Sequence, residues 1–207
     1  MNPRDEASEI KIKNVIDMAI TFSAMNRVFE KGTKQNIAQK LENSLGLLTA
    51  VDDKDAFEKA QSEFCEWFIK NVSTAEKVLK NKKIKKSQSA SYGQAAKVFD
   101  IAGKVYAYYC HLPGCESATK LLPVLHGAVD TLIMKNLKKK CPKNNIKAET
   151  VEAVTKLEYF ALQKLVARHI EDEFNNLILP VQYDDIMWHR LNRRAQHLVR
   201  ADSGFAA

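Results

Sequence analysis

The sequence has few of the residues that a β-protein needs for its turns. Its 207 residues include seven glycines and five prolines, too few for a fold built from many tight turns. Helix-forming residues dominate instead, namely alanine, leucine, lysine, glutamate and glutamine. The sequence therefore predicts an all-α protein, a single helical bundle of about seven to eight helices. This domain covers residues 1–207, with a possible subdivision into 1–76 and 89–200.

Long apolar runs are also absent. No run reaches the roughly 18 residues that a membrane-spanning helix requires. The first residues, Met-Asn-Pro-Arg-Asp-Glu, are charged and do not resemble a signal peptide. The four cysteines are irregularly spaced, at positions 65, 110, 115 and 141. We therefore expect a cytoplasmic protein with free thiols and no membrane partner.

Arginine is scarce although the chain is basic. Of 32 basic residues, 25 are lysine and seven are arginine, and the net charge is +7. A positive charge favours acidic partners such as nucleic acid. Direct reading of bases favours arginine, so this composition indicates contact with the phosphate backbone, of RNA or of DNA.

The most apolar stretch, residues 89–137, reads as a central antiparallel hairpin of two long helices joined at 111–114. The first helix is apolar on nearly every side, which is typical of a helix in the middle of a bundle. Its small residues, Gly93 among them, would let neighbouring backbones approach closely. A narrow polar strip is the exception, formed by Gln94, Lys97, Asp100 and Lys104.

Lysines concentrate at the two outer ends of the predicted hairpin. The nucleic-acid-binding candidates are Lys82, Lys83, Lys85 and Lys86 before the first helix, and Lys138, Lys139 and Lys140 at the finish of the second. Antiparallel packing would bring both groups to one pole, suited to sequence-independent phosphate contact. The alternative is that lysines gather at helix ends because carbonyl dipoles favour them there.

The last predicted helix carries Arg190 and His197, seven residues apart and therefore on one flank. This R-x6-H spacing resembles the R-x4-6-H motif of the HEPN family, whose members are helical, often dimeric and frequently ribonucleases. The resemblance implies a metal-independent ribonuclease and a possible homodimer. In it, Arg190 would stabilise phosphate charge and His197 would act as an acid/base or orienting group.

Metal and cofactor signals are weak. His126 with Asp130, and His169 with Glu173, each share a helix face and could contribute ligands. The usual Glu-x-x-His pairs are absent, and a single C-x4-C pair falls short of a zinc pattern. We therefore expect no metal and no cofactor. A non-catalytic protein–protein interaction or oligomeric module stays open as a third function.

Three local patterns carry further predictions. Apolar spacing predicts a first helix over 8–31. Ser73 and Glu76 match a capping box and predict a short helix. The apolar residues 177–181, which contain Pro180, form the one segment that reads as a strand.

Overall fold

The structure is a computed structural model that describes residues 3–23, 28–51, 53–78 and 83–203, and of residues 5, 50 and 194–203 the backbone alone. This described part contains eight α-helices and one short two-stranded ribbon, which confirms the all-α prediction at the level of class. The helices are α1 (Pro3–Phe22), α2 (Thr33–Leu47), α3 (Lys54–Asn71), α4 (Tyr92–Gly103), α5 (Cys115–Leu121), α6 (Thr131–Lys140), α7 (Lys156–Phe174) and α8 (Pro180–Ser203). The strands are β1 (Lys77–Val78) and β2 (Ile84–Lys85), which pair antiparallel. Short 3-10 turns lie at Leu48–Ala50 and Val151–Ala153, and a π-helical segment (Lys104–Tyr109) continues α4.

Helix α4 is the centre of the molecule, as its apolar surface predicts. Every residue from Tyr92 to Ala107 is buried except Lys97. The helix packs against α1, α2, α3 and α7. At its start the Ser91 hydroxyl accepts a hydrogen bond from the Gln94 backbone amide (3.2 Å), and the Gln94 side-chain oxygen accepts one from the Ser91 backbone amide (2.9 Å). This capping box satisfies two backbone donors that a buried helix end would otherwise leave unpaired.

Gly93 permits the closest backbone approach in α4. Its amide donates to the Val154 carbonyl (3.1 Å). A β-carbon at this position would lie 2.4 Å from the Val151 carbonyl oxygen and 2.6 Å from the Val154 β-carbon. The expectation that small residues bring backbones together is therefore confirmed at Gly93.

The second arm of the predicted hairpin is not one long helix. Helix α5 covers seven residues, residues 122–130 are not helical, and α6 begins only at Thr131. Pro123 lacks the amide that a helix interior requires. Gly127 lies against the Pro180 carbonyl, where a β-carbon would come within 2.6 Å. The Asp130 side chain then caps α6 by accepting from the Ile133 amide (2.8 Å). A continuous second helix was therefore a wrong prediction.

The predicted helix at Ser73 is also wrong, because that segment forms strand-like pairs. Ser73 pairs with Ser89, and Thr74 pairs with Phe29. The first helix also differs from the predicted 8–31, since α1 begins at Pro3 and ends at Phe22. Backbone partners supplied from distant segments thus override the local capping signal.

The segment predicted as a strand, 177–181, is not one, because residues 177–179 are irregular and the last two residues belong to α8. Pro180 is the first residue of that helix, a position that tolerates proline because its amide would have no intrahelical partner. Within the described part of the chain, no helix is both long and apolar enough to cross a membrane.

Candidate functional site

The polar strip of α4 lies inside the molecule. Gln94, Asp100 and Lys104 are buried, and Lys97 is partly buried. Buried polar groups require partners, because burial without a hydrogen bond costs free energy. What each residue of the strip contacts therefore shows what this face of the helix can do.

Lys104 ties α4 to α8. Its ammonium forms ion pairs with Asp184 and with Asp185 (2.8 Å for Asp185 Oδ1). The Tyr109 hydroxyl donates to the other Asp185 oxygen (2.5 Å). Burial opposes the charge on Lys104, but the two carboxylates outweigh burial and raise its pKa above 10.5. The lysine is therefore cationic at neutral pH and holds two carboxylates at the start of α8.

Asp184 has one unused acceptor. One of its carboxylate oxygens binds Lys104, whereas Oδ1 is buried and has no hydrogen-bond partner in the described part of the chain. The residue is 8% exposed. Burial raises the pKa of Asp184 to about 6, although the charge of Lys104 opposes the shift. At pH 7 the group is therefore mostly an ionised acceptor that lacks a donor.

Asp100 belongs to a chain of polar groups that leads outward from the core. The Tyr159 hydroxyl donates to its carboxyl group (3.0 and 2.9 Å to the two oxygens). His126 Nδ1 lies 2.7 Å from the Tyr159 oxygen, and His126 Nε2 lies 3.2 Å from Glu58 Oε1. Glu58 is partly exposed, so the chain connects a buried carboxyl with the surface of α3.

Burial sets the protonation of this chain. It raises the pKa of Asp100 well above 3.8. It lowers the pKa of His126 from 6.5 to about 3, with a smaller contribution from the charge of Lys54. His126 is therefore neutral at physiological pH, which fits a hydrogen-bonded core histidine.

Lys97 differs from the rest of the strip because, among the described residues, its side chain has no hydrogen-bond or ion-pair partner. Burial lowers its pKa from 10.5, while the charges of Asp130 and Asp184 oppose the shift. Lys97 lines both of the large cavities described below. An ammonium group in this position can bind an anion that enters from solvent.

The first cavity, which we call the lysine groove, has a volume of about 760 Å³. Four lysines from different elements line it, namely Lys77 of β1, Lys85 of β2, Lys97 of α4 and Lys135 of α6. Lys85 is paired with Glu152. Of the seven lysines predicted to bind nucleic acid, Lys85 alone lines this groove, where Lys77 and Lys135 from the same two parts of the sequence join it.

The second cavity, which we call the α8 cleft, has a volume of about 620 Å³ and lies between α4, α6 and α8. Three exposed aromatic side chains line it, namely Phe22, Tyr109 and Trp188. Asp184 and Lys97 line it as well. This cleft therefore combines flat apolar walls with two lysines, Lys97 and Lys104, and three carboxylates, of which Asp184 has an unused acceptor.

The predicted lysines fall into three groups. Lys82 lies outside the described residues. Lys83, Lys86 and Lys139 are exposed. The remaining three are held by glutamates: Lys85 by Glu152, Lys138 by Glu149 and Lys140 by Glu173.

Arg190 and His197 both lie on α8, as predicted. The Arg190 guanidinium stacks over the Phe174 ring, with 4.8 Å between its central carbon and the ring centroid. The side chain of His197 lies outside the described residues, so the geometry of this pair is open. The HEPN-like ribonuclease stays a prediction.

The histidines considered as metal ligands have other contacts. His126 belongs to the Tyr159 chain, and His169 Nδ1 lies 2.8 Å from the Tyr183 hydroxyl oxygen. The described residues hold no group of three side chains suited to a metal ion.

Sequence reasoning missed the partners of the strip. Tyr159, Glu58 and the Asp184–Asp185 pair carry no motif, and their approach to α4 depends on tertiary packing. The one available signal was the strip itself, because a polar stripe on an otherwise apolar central helix must be buried.

Comparisons with protein family models, with curated proteins and with solved structures found no match to this chain.

Proposed function

We propose that the protein binds nucleic acid through its phosphate backbone, along the lysine groove. The observation that carries this proposal is the convergence of Lys77, Lys97 and Lys135 on one groove without a carboxylate partner among the described residues. Lysines act as point charges toward phosphate and do not discriminate bases.

The carboxylates in the groove compensate these lysines only in part. Asp130 is engaged as the cap of α6. Glu152 binds Lys85 and accepts from the Gln88 side chain (2.8 Å). Glu76 is the remaining acid that lines the groove. The groove is therefore cationic in a chain whose net charge is already +7, and such a surface attracts polyanions.

Lys139 lies on α6 beyond the residues that line the groove. It follows Lys135 by four residues, which places both on one helix face, and both are exposed. Lys138 and Lys140, by contrast, are directed to glutamates. We therefore assign the phosphate contacts of α6 to Lys135 and Lys139.

A binding experiment with matched variants tests the proposal. Fluorescence anisotropy of labelled RNA and DNA oligonucleotides at low ionic strength should show binding by the wild type. Lys97→Met with Lys135→Met should weaken it. Lys120→Met with Lys140→Met removes the same charge outside the groove, from surface ion pairs with Glu116 and Glu173, and should bind like the wild type.

Two results would decide against the proposal. Negligible wild-type binding at low salt would exclude a nucleic-acid partner, and equal losses in both double variants would exclude the groove as the site. Electrophoresis of the same samples gives a third outcome. RNA cleavage that disappears in His197→Ala would select the HEPN-like ribonuclease.

A further inference from the structure

The exposed aromatic side chains of the protein are gathered at one site. Trp188 is 49% exposed, Phe22 56% and Tyr109 43%. Among the aromatic residues whose side chains the structure describes, these are the three that are exposed, and all three line the α8 cleft. Large aromatic groups are rarely left in water without a function, and a concave cluster of them is typical of a binding site for a flat ring.

Asp184, which lines the cleft, has a hydrogen-bond acceptor that the protein leaves unused. Asp184 Oδ1 is buried and unpaired within the described part of the chain. Leaving a buried carboxylate oxygen without a donor is costly. A ligand that carries an N–H group at its edge would supply the missing donor.

The cleft adjoins the lysine groove, because Lys97 and Asp130 line both cavities. A polyanion that contacts Lys97 in the groove would therefore lie next to the cleft. The volume of the cleft, about 620 Å³, falls within the range of about 300–1,000 Å³ that is usual for small-molecule sites.

We infer that the α8 cleft accepts one unstacked nucleobase of the bound nucleic acid, stacked on Trp188 and hydrogen-bonded through an N–H group to Asp184 Oδ1. A flat ring, an N–H donor and an adjacent phosphate occur together in a nucleotide, and they match the aromatic wall, the free carboxylate oxygen and Lys97. The base must be unpaired to enter, so single strands should bind better than duplexes. This inference rests on the proposed function.

Tryptophan fluorescence can test the inference directly. The chain has two tryptophans, Trp67 and Trp188. In the Trp67→Phe variant, Trp188 is therefore the one tryptophan that fluoresces. The probes are an oligoadenylate of about 12 nucleotides, the same strand with abasic sites throughout, its duplex, and adenosine monophosphate. Anisotropy reports binding, and quenching reports contact with Trp188.

The inference expects the oligoadenylate to bind and to quench Trp188, and the abasic strand and the duplex to bind more weakly without quenching. In protein that retains Trp67, Trp188→Leu should lower affinity for the oligoadenylate about 5- to 150-fold, the range of one lost stacking contact, and should leave the abasic strand unaffected. Leu157→Ala changes an apolar side chain that is more exposed than Trp188 and lies outside the cleft, and it should alter the affinity for neither strand.

Other outcomes separate this inference from the proposed function. Equal binding of the abasic strand and the oligoadenylate, without quenching, would overturn the inference and leave phosphate binding in place. Full quenching by adenosine monophosphate at the same nucleotide concentration as the strand would assign the cleft to a free nucleotide and also overturn it. No binding of any strand would reject the proposed function itself.

Discussion

Lys97 is the residue of the polar strip that the protein does not satisfy internally. Gln94 is held in a capping box, Asp100 by Tyr159 and Lys104 by Asp184, whereas Lys97 has no such partner among the described residues. A partly buried ammonium without a direct ion-pair or hydrogen-bond partner lowers stability. A bound phosphate would remove that cost, which makes Lys97 the position where binding and stability are most closely linked.

Glycine at position 93 should be required for stability. Gly93→Ala would place a methyl group 2.4 Å from the Val151 carbonyl oxygen, so we expect a loss of about 1–3 kcal/mol in the free energy of unfolding. Gly46→Ala in α2 is the matched control, because no atom lies within 4 Å of the added carbon. Chemical denaturation should show the control gaining up to about 1 kcal/mol. Equal stability of the two variants would contradict the close approach at Gly93.

Replacing His126 by asparagine should change how stability depends on pH. His126 stays neutral when folded, since burial lowers its pKa from 6.5 to about 3, while the unfolded chain gains a proton below pH 6.5. The contribution of His126 to the free energy of unfolding is therefore fully present above pH 6.5. It falls by about 1.4 kcal/mol for each pH unit below that value, until the folded pKa is reached.

Denaturation curves at several pH values would measure this contribution. As the pH decreases below 6.5, we expect the free energy of unfolding of His126→Asn to fall less steeply than that of the wild type. The difference in slope should be about 1.4 kcal/mol per pH unit. Glu58, Tyr159 and Asp100 face the same chain, and Lys54 lies near it. These groups remain in both proteins, so the difference between the curves reports His126. Parallel curves below pH 6.5 would contradict a buried neutral imidazole.

At the scale of elements, α4 was predictable and its neighbours were not. An all-round apolar pattern requires burial, and the strip at 94, 97, 100 and 104 is the feature that pattern cannot explain. The prediction of a long second helix was wrong because composition does not reveal that Pro123 and Gly127 belong to a non-helical segment. Gly127 lies close to Pro180, far away in the sequence, and no local pattern encodes that contact.

The tie between α4 and α8 should behave as a buried ion pair. Lys104→Met leaves two carboxylates without their cation, and we expect the free energy of unfolding to fall by about 3–5 kcal/mol. Adding Asp184→Leu removes the most buried of these charges and should restore more than half of the loss.

Thermal and chemical denaturation of the two variants would check this coupling. Lys120→Met serves as the control, because Lys120 and Glu116 form an exposed pair, and the change there should stay below about 1 kcal/mol. A double variant at least as unstable as Lys104→Met alone would contradict the coupling.

At the scale of the whole molecule, the prediction that two lysine-rich segments meet depended on a long second helix, which is interrupted at residues 122–130. The segments nevertheless share the lysine groove, because β1 and β2 bring Lys77 and Lys85 to α6. The sequence could not reveal which lysines remain free for a ligand. That depends on acids such as Glu149 and Glu173, which approach Lys138 and Lys140 only in the folded chain.

The salt dependence of binding tests the central claim most directly, namely that groove lysines contact phosphates. Each phosphate contact contributes about 0.7 to the slope of log affinity against log salt for single strands. Lys97→Met with Lys135→Met should therefore reduce the magnitude of the slope by about 1.4 relative to the wild type, while Lys120→Met with Lys140→Met should keep the wild-type slope. A groove variant that keeps the wild-type slope would contradict the account. A control variant whose slope falls by as much as that of the groove variant would contradict it as well.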